Sequence, residues 1–159
     1  MQCTILVDRF GEGQKAFYRE PQSLFTGYDG YYSLRHLDAV PTCLITPDSA
    51  RDVSDALKVI IQHSCKFAVK SGGHSMFPGG ASINNGVVFD LRYLNQLGIS
   101  EDKTTAFVGP GNRWGAVYSF LDPMNLTVVG GRVSGVGVGG YLLGGKYFGM
   151  LRSDPDMLM

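Results

Sequence analysis

From Pro41 onward the apolar positions fall into recognisable periods. Cys43-Leu44-Ile45-Thr46 is a short apolar run closed by Pro47, which reads as a strand. Ser49-Ala50-Arg51-Asp52 follows, with a hydroxyl at the N-cap and a carboxylate three residues on, a capping-box-like helix start. Val53, Ala56, Leu57, Ile60 and Ile61 then recur at helical spacing, giving one apolar face. That helix is predicted to fray near His63-Ser64. Lys66-Phe67-Ala68-Val69-Lys70 is a second strand. Strand, helix and strand in this order predict a βαβ unit with a right-handed crossover.

Further on, Gly86-Val87-Val88-Phe89-Asp90-Leu91 and Thr104-Thr105-Ala106-Phe107-Val108 read as strands, the latter ended by Gly109-Pro110-Gly111. Asn112 is predicted to cap a helix carrying Trp114, Val117, Tyr118 and Leu121 on one face. Leu126-Thr127-Val128-Val129 reads as a strand leading into a glycine-rich stretch, Gly130 to Gly145. Residues 1–40 carry aromatics (Phe17, Tyr18, Phe25, Tyr28, Tyr31, Tyr32) without a firm period. They are expected to be a surface lead-in with short helical pieces. Residues 146–159 have no clear period either and end on apolar side chains.

Composition sharpens this in one respect. Of the 159 residues, 22 are glycine, and 18 of those lie between Gly72 and Gly149. Such density implies tight turns, unusual backbone angles or close approach of backbone to a ligand. Fourteen basic residues balance fourteen acidic ones, so no global field recruits nucleic acid or anionic lipid. No apolar run is long enough to span a membrane. The N-terminus does not read as a signal peptide, because Asp8 and Arg9 interrupt it. Cys3, Cys43 and Cys65 form no CxxC pair, and no histidine pair has metal spacing, so no metal site is expected. One disulfide with one thiol, or three thiols, both remain open.

The chemistry therefore concentrates in two glycine loops. Ser71-Gly72-Gly73-His74-Ser75 directly follows a strand, where ligands of parallel sheets bind. Adjacent glycines there let backbone N–H groups converge on an anion, and Ser71 and Ser75 add hydroxyls. A plain turn with an incidental histidine would show the same residues. In the second stretch, Gly135 to Gly140 fits G-x-G-x-x-G, and Asp154 and Asp156 stand at the distance of a ribose-binding acid, but no strand precedes them. Gly140 to Lys146 fits G-x-x-x-x-G-K, with Tyr147 where a magnesium-binding hydroxyl is needed. Both are weak matches in so glycine-rich a chain. His36, His63, Asp90 and Asp102 read as structural residues. No G-x-S-x-G elbow is present, and no catalytic residue is assigned.

Taken together, five stretches resemble the FAD-linked oxidoreductases with the p-cresol-methylhydroxylase (vanillyl-alcohol oxidase) type of FAD-binding domain, and most closely the fungal berberine-bridge-enzyme-like group. They are Cys65 to Ser75, Gly86 to Leu91, Val108 to Trp114, Leu126 to Arg132 and Val136 to Gly140. Pro41 to Pro47 and Asp52 to Ser54 fit as well. The resemblance implies an α+β domain of two subdomains with FAD between them. It divides the chain into a lead-in (1–40), a first FAD-binding subdomain (41–97), a second, incomplete one (98–145) and a divergent tail (146–159). It implies that Ser71, Gly72, Gly73, His74, Ser75, Gly131, Val136, Gly137, Gly139 and Gly140 hold the cofactor. It further implies a covalent bond from His74 to the flavin. The cysteine that makes a second link in some members is replaced here by Val133, so a single histidyl bond is expected.

By the same resemblance, a small-molecule substrate would give a hydride to FAD, and oxygen would then take the electrons. The family's substrate domain and usual catalytic base have no counterpart in these residues, so a non-catalytic remnant is the alternative. An incomplete sheet would leave an unpaired edge and poor solubility. Family members are commonly secreted, and by that comparison Cys3 and Cys43 would pair.

Overall fold

A computed structural model of the chain describes residues 2–11, 14–18 and 30–145. Phe25 and Tyr28, Lys146 of the second motif, Asp154, Asp156 and the tail 146–159 lie outside the described residues.

The fold is α+β. A helix α1 (Gln2–Phe10) precedes strand β1 (Ala16–Tyr18), then β2 (Cys43–Ile45), α2 (Ala50–Gln62), β3 (Phe67–Lys70) and β4 (Val87–Asp90). The chain continues with β5 (Leu97–Ile99), β6 (Ala106–Val108), α3 (Trp114–Leu121) and α4 (Val138–Leu143). The first sheet has the order β1-β2-β4-β3. Strands β2, β4 and β3 run parallel, and β1 pairs antiparallel with β2. The expected strand–helix–strand unit is therefore split: β4 enters the sheet between the two strands that α2 connects. Strands β5 and β6 form a separate antiparallel pair.

The pleat sorts the first sheet's side chains onto two faces. Cys43, Ile45, Val87 and Phe89 pack against Cys3 and Leu6 of α1 and Ala56, Val59 and Ile60 of α2. Leu44, Ala68 and Val88 pack on the other face against Phe17, Tyr31 and Ile83. A third cluster gathers Trp114, Val117, Leu121 and Val138, with Leu97, Ile99 and Val108 of the second sheet.

Several expectations are corrected by this arrangement. The lead-in is not only surface wrapping: α1 buries Leu6 completely, and β1 extends the sheet in register, Ala16 opposite Ile45. The Cys3 and Cys43 sulfurs are bonded, tying α1 to β2. Helix α2 starts at Ser49, whose side chain accepts from the Asp52 N–H, as predicted. Its buried positions are Ala56, Val59 and Ile60, and Ile61 turns out to solvent. The N-cap position of helix α3 is Arg113 rather than Asn112, and its side chain makes no cap bond. The Asn112 amide donates to the carbonyls of Gly109 (3.0 Å) and Gln96 (3.3 Å), closing the turn that precedes the helix. Leu126-Thr127-Val128-Val129 forms no strand. Leu126 and Val128 still pack into the third cluster, so its alternation reports one-sided burial without a ladder partner.

No helix among the described residues is long and apolar enough to cross a membrane. Among the described residues no group of three or more His, Cys, Asp or Glu is placed to hold a metal ion.

Candidate functional site

Strand β3 ends at Lys70, and residues 71–75 leave the sheet at the carboxyl end of its parallel strands, the position where ligands of such sheets bind. The turn needs Gly73, which sits at φ +69°. A Cβ there would also lie 2.8 Å from the Gly30 carbonyl oxygen. The two glycine stretches, 65 residues apart at Gly72 and Gly137, are in direct contact. A Cβ on Gly72 would overlap the Gly137 backbone nitrogen, and a Cβ on Gly137 would overlap that of Gly72. Gly139 lies beside Ser71 Oγ and the Pro110 carbonyl, each 3.2 Å from its Cβ position.

The loop's polar groups are sorted by kind. Three of its five carbonyl oxygens are turned toward protein donors. Gly72 O accepts from an Arg113 Nη2–H at 3.0 Å, and Gly73 O accepts from the Tyr32 N–H at 2.9 Å. Ser75 O lies 2.8 Å from His36 Nε2, which must carry its proton to bond there. The N–H groups of Gly72, Gly73, His74 and Ser75 have no acceptor among the described residues. With three carbonyls engaged and four N–H groups free, the loop presents more positive than negative dipole ends, the polarity that suits an anion. At α4 the first-turn N–H groups of Gly139 and Gly140 also lack intrahelical acceptors.

Charge beneath the loop has the same sign. Lys70 and Asp90 form a buried ion pair at 3.0 Å, and Arg92 reaches the same carboxylate at 2.6 Å. Two cations to one anion leave net positive charge there. Burial pushes the Lys70 ammonium below its ordinary pKa, partly opposed by Asp90. The Lys70 ammonium also stands over the Tyr31 ring, 5.3 Å from its centre.

Each residue assigned from the sequence can now be placed. Ser71 is not a free donor: its hydroxyl bonds the Pro110 carbonyl at 2.6 Å. Ser75 Oγ accepts from the Phe77 N–H at 3.2 Å, which leaves its own proton available. His74 is half-buried, its ring stacked on Tyr32 with centres 4.1 Å apart. Val136 and Gly137 face Gly72, and a Cβ at Gly140 would meet open space. Gly131 is placed against the indole of Trp114, and its carbonyl accepts from the Tyr118 hydroxyl at 3.2 Å. Val133 is exposed and begins the turn closed by the Val136 N–H.

Sequence reasoning missed Tyr32 and gave Arg113 no role of its own, while His36, read as structural, is so through its bond to Ser75 O. Tyr32 was one unassigned aromatic of the lead-in, and Arg113 lay within the stretch Val108 to Trp114. A cleft of about 700 Å³ lies elsewhere, between α2 and the exposed face of β3, lined by Val53, Leu57, Phe67, Val69 and Leu94.

In this α+β domain the two glycine loops thus meet backbone to backbone, with unengaged N–H groups on both. A family model described as an FAD binding domain matches residues 41–153, and the chain belongs to that family. It is 53% identical over 105 residues to FAD-dependent monooxygenase yanF of Aspergillus niger, covering 65% of this chain and 18% of that protein. Its fold is similar to that of 6-hydroxy-D-nicotine oxidase from Arthrobacter nicotinovorans, with a TM-score of 0.71 and 26% identity over 80% of this chain and 28% of that one. It is also similar to glucooligosaccharide oxidase from Acremonium strictum, a protein described with a 6-S-cysteinyl, 8α-N1-histidyl FAD, with a TM-score of 0.73 and 23% identity over 91% of this chain and 30% of that one. The chain thus spans less than a third of the length of these three proteins. The resemblance read from the motifs holds at the level of family, cofactor and fold.

Proposed function

We propose that residues 71–75 and 136–140 together cradle the pyrophosphate of FAD, and that His74 carries the flavin covalently. In a protein of its relatives' length, this chain would be the cofactor-holding part of an oxidoreductase. A substrate carbon would give a hydride to the flavin, and dioxygen would then take up the electrons. The observation that carries the cradle is the sorting of the loop's polar groups: carbonyls of Gly72, Gly73 and Ser75 engaged by the protein, N–H groups of residues 72–75 free. Two phosphates bring the negative charge those donors and the Lys70–Arg92 cations favour.

The chain's own residues fit the cofactor in three ways. Contact between Gly72 and Gly137 brings the two donor sets into one site. Arg113 and Tyr32 hold the first loop's carbonyls and so fix where its N–H groups point. The His74 ring nitrogens have no hydrogen-bond partner among the described residues, which leaves a lone pair available to a carbon electrophile. Bound FAD supplies the hydride acceptor. Forming a bond from the imidazole nitrogen to the flavin's methyl carbon would break one C–H and one N–H bond, and dioxygen would have to take the two protons and two electrons, as hydrogen peroxide. Support for dioxygen also comes from the relatives' names, since monooxygenases and oxidases both consume it.

The test is direct. Chain produced with FAD is precipitated in acid, washed and run on a denaturing gel, where flavin fluorescence should travel with the protein. His74→Ala should lose that fluorescence yet bind FAD reversibly. Fluorescence retained by His74→Ala overturns the linkage, and wild-type chain that neither retains nor reversibly binds FAD overturns the cradle.

A further inference from the structure

We infer that Tyr32 is a positioning residue that sets the plane of the His74 imidazole for its bond to the flavin. The inference rests on the covalent role of His74 proposed above. Two adjacent tyrosines each stack on a histidine, and the two pairs differ in a telling way. Tyr31 stacks on His36 with ring centres 5.0 Å apart and planes 25° from parallel. His36 is fully buried and its Nε2 is committed to the Ser75 carbonyl, so that pair is structural. Tyr32 stacks on His74 more closely, at 4.1 Å and 17°, and neither His74 nitrogen has a hydrogen-bond partner among the described residues.

The stack is anchored by the backbone. The Tyr32 N–H donates to the carbonyl of Gly73, the residue before His74, at 2.9 Å. The side chain of Tyr32 is 63% exposed, so core packing does not hold it. Across the site a Cβ on Gly135 would lie 3.9 Å from His74 Cδ2, so the imidazole edge faces the second glycine loop. The geometry matters because the reactive lone pair lies in the imidazole plane. A hydrogen bond would fix that plane only by occupying a nitrogen. A stack fixes it from the face and leaves both nitrogens open. The bond formed is nitrogen to methyl carbon. One C–H and one N–H bond break, and dioxygen takes the two protons and two electrons as hydrogen peroxide. Tyr32 takes no part in that exchange and only restricts ring rotation toward the attacking geometry.

Purified apo chain is mixed with FAD in air, and covalent flavin is followed by acid precipitation over time for wild type, Tyr32→Leu, Tyr32→Phe and Tyr32→Trp. Reversible FAD binding is measured separately by flavin fluorescence at short times. Tyr32→Leu should attach flavin at least roughly tenfold more slowly, with reversible binding changed by less than about threefold. Tyr32→Phe and Tyr32→Trp, which keep an aromatic face, should restore the rate. In chain with ¹³C-labelled histidine, Tyr32→Leu should also move the His74 ring-proton resonances, assigned by their loss in His74→Ala. Equal attachment rates in wild type and Tyr32→Leu overturn the positioning role while leaving the His74 bond standing. So does failure of both aromatic variants to restore the rate. If Tyr32→Leu does not fold, the Phe and Trp variants still decide, since a stack predicts near-normal attachment in both. Absence of covalent flavin in wild type overturns the linkage itself, and the positioning role with it.

Discussion

Gly72 and Gly137 stand backbone to backbone, each occupying the space a Cβ on the other would need. This contact joins the loop after β3 to the loop before α4. Substituting alanine at either position must push the loops apart. Overpacking of this kind typically costs about 1–3 kcal/mol. Gly72→Ala and Gly137→Ala should each lower the urea midpoint of apo chain and also weaken FAD binding. Gly140→Ala is the informative contrast, because a Cβ there meets nothing within 4 Å. It should leave apo stability unchanged or raise it, alanine being favoured over glycine in a helix by up to about 1 kcal/mol, while weakening FAD binding. If Gly140→Ala binds FAD like wild type, α4 does not line the cofactor.

Much of this site was legible because glycine is read by its backbone, and the motifs that place it are contiguous. Strands β2, β3 and β4 and helix α2 were legible for the same reason: each is a short, strongly periodic segment. Other features depend on contacts distant in sequence. Strand β4 splits the βαβ unit, and no local pattern announces the sheet order. Helix α1 was legible and overlooked: Cys3, Leu6, Val7 and Phe10 are spaced for one helical face, and the first three are buried. Leu126 to Val129 shows the opposite error, an alternation that records burial against the third cluster and nothing about pairing. The partners of His36 and Tyr32 could not be read, since Ser75 and His74 come about forty residues later.

Arg113 links the segment before β2 to the first glycine loop, its Nη2 donating to Gly30 O at 2.9 Å and Gly72 O at 3.0 Å. Both bonds come from one nitrogen of a rigid, planar guanidinium, and a lysine ammonium on a flexible stem holds two such bonds less well. Arg113→Ala should lower stability by about 1.5–3 kcal/mol, the range for hydrogen bonds to charged groups. The effect on FAD should be larger than on folding, because Gly72 O would be free to turn and its loop's N–H groups with it. Arg113→Lys should recover little of that loss. Isothermal titration with FAD alongside urea melts separates the two effects, and equal losses in both would remove Arg113 from the cradle's support.

Lys70 and Asp90 are 4% and 0% exposed and pair at 3.0 Å. Removing one member of such a pair leaves the other buried without its counter-charge, at a cost of about 3–5 kcal/mol. Asp90→Asn should be the more damaging change, since Lys70 and Arg92 both point at that carboxylate. Lys70→Met leaves Asp90 still paired with Arg92 and should cost less. Chemical denaturation of the two variants checks the order. If Lys70→Met proves the worse, then the ammonium does more than neutralise Asp90.

The bond between Cys3 and Cys43 closes 40 residues of chain and fastens α1 onto β2. Loop-closure entropy of the unfolded chain puts its contribution near 4 kcal/mol. Cys65 remains a free thiol, and burial raises its pKa, so it should alkylate slowly. Native chain without reductant should therefore take up at most one label, and reduced, unfolded chain three. Cys3→Ser should lower the melting temperature about as much as reduction does, and reduction should then add nothing. A wild-type chain that melts at one temperature with and without reductant would contradict the bond.

Acid should destabilise the fold through carboxylates on α2 and in the β5–β6 turn. The Lys15 ammonium, bonded at 2.8 Å, holds Asp52 below the ordinary value of 3.8. Arg9 does the same for Asp55 at 2.9 Å, and the Ser100 hydroxyl does so for Asp102. A carboxylate whose folded pKa is depressed binds its proton more weakly when folded than when unfolded. Its stabilising effect is thus complete above the unfolded value and is lost as pH falls through the folded one. Stability should be level above about pH 5 as far as these groups are concerned, and should fall from about pH 4 downward. The three sites need not weigh equally: Asp52 and Asp55 tie the turn before β1 and helix α1 to α2, whereas Asp102 only closes a turn. Urea midpoints at a series of pH values should show the fall, and Asp55→Asn should flatten it more than Asp102→Asn does. A fall of the same depth in both variants and in wild type would mean that other carboxylates govern the acid limb.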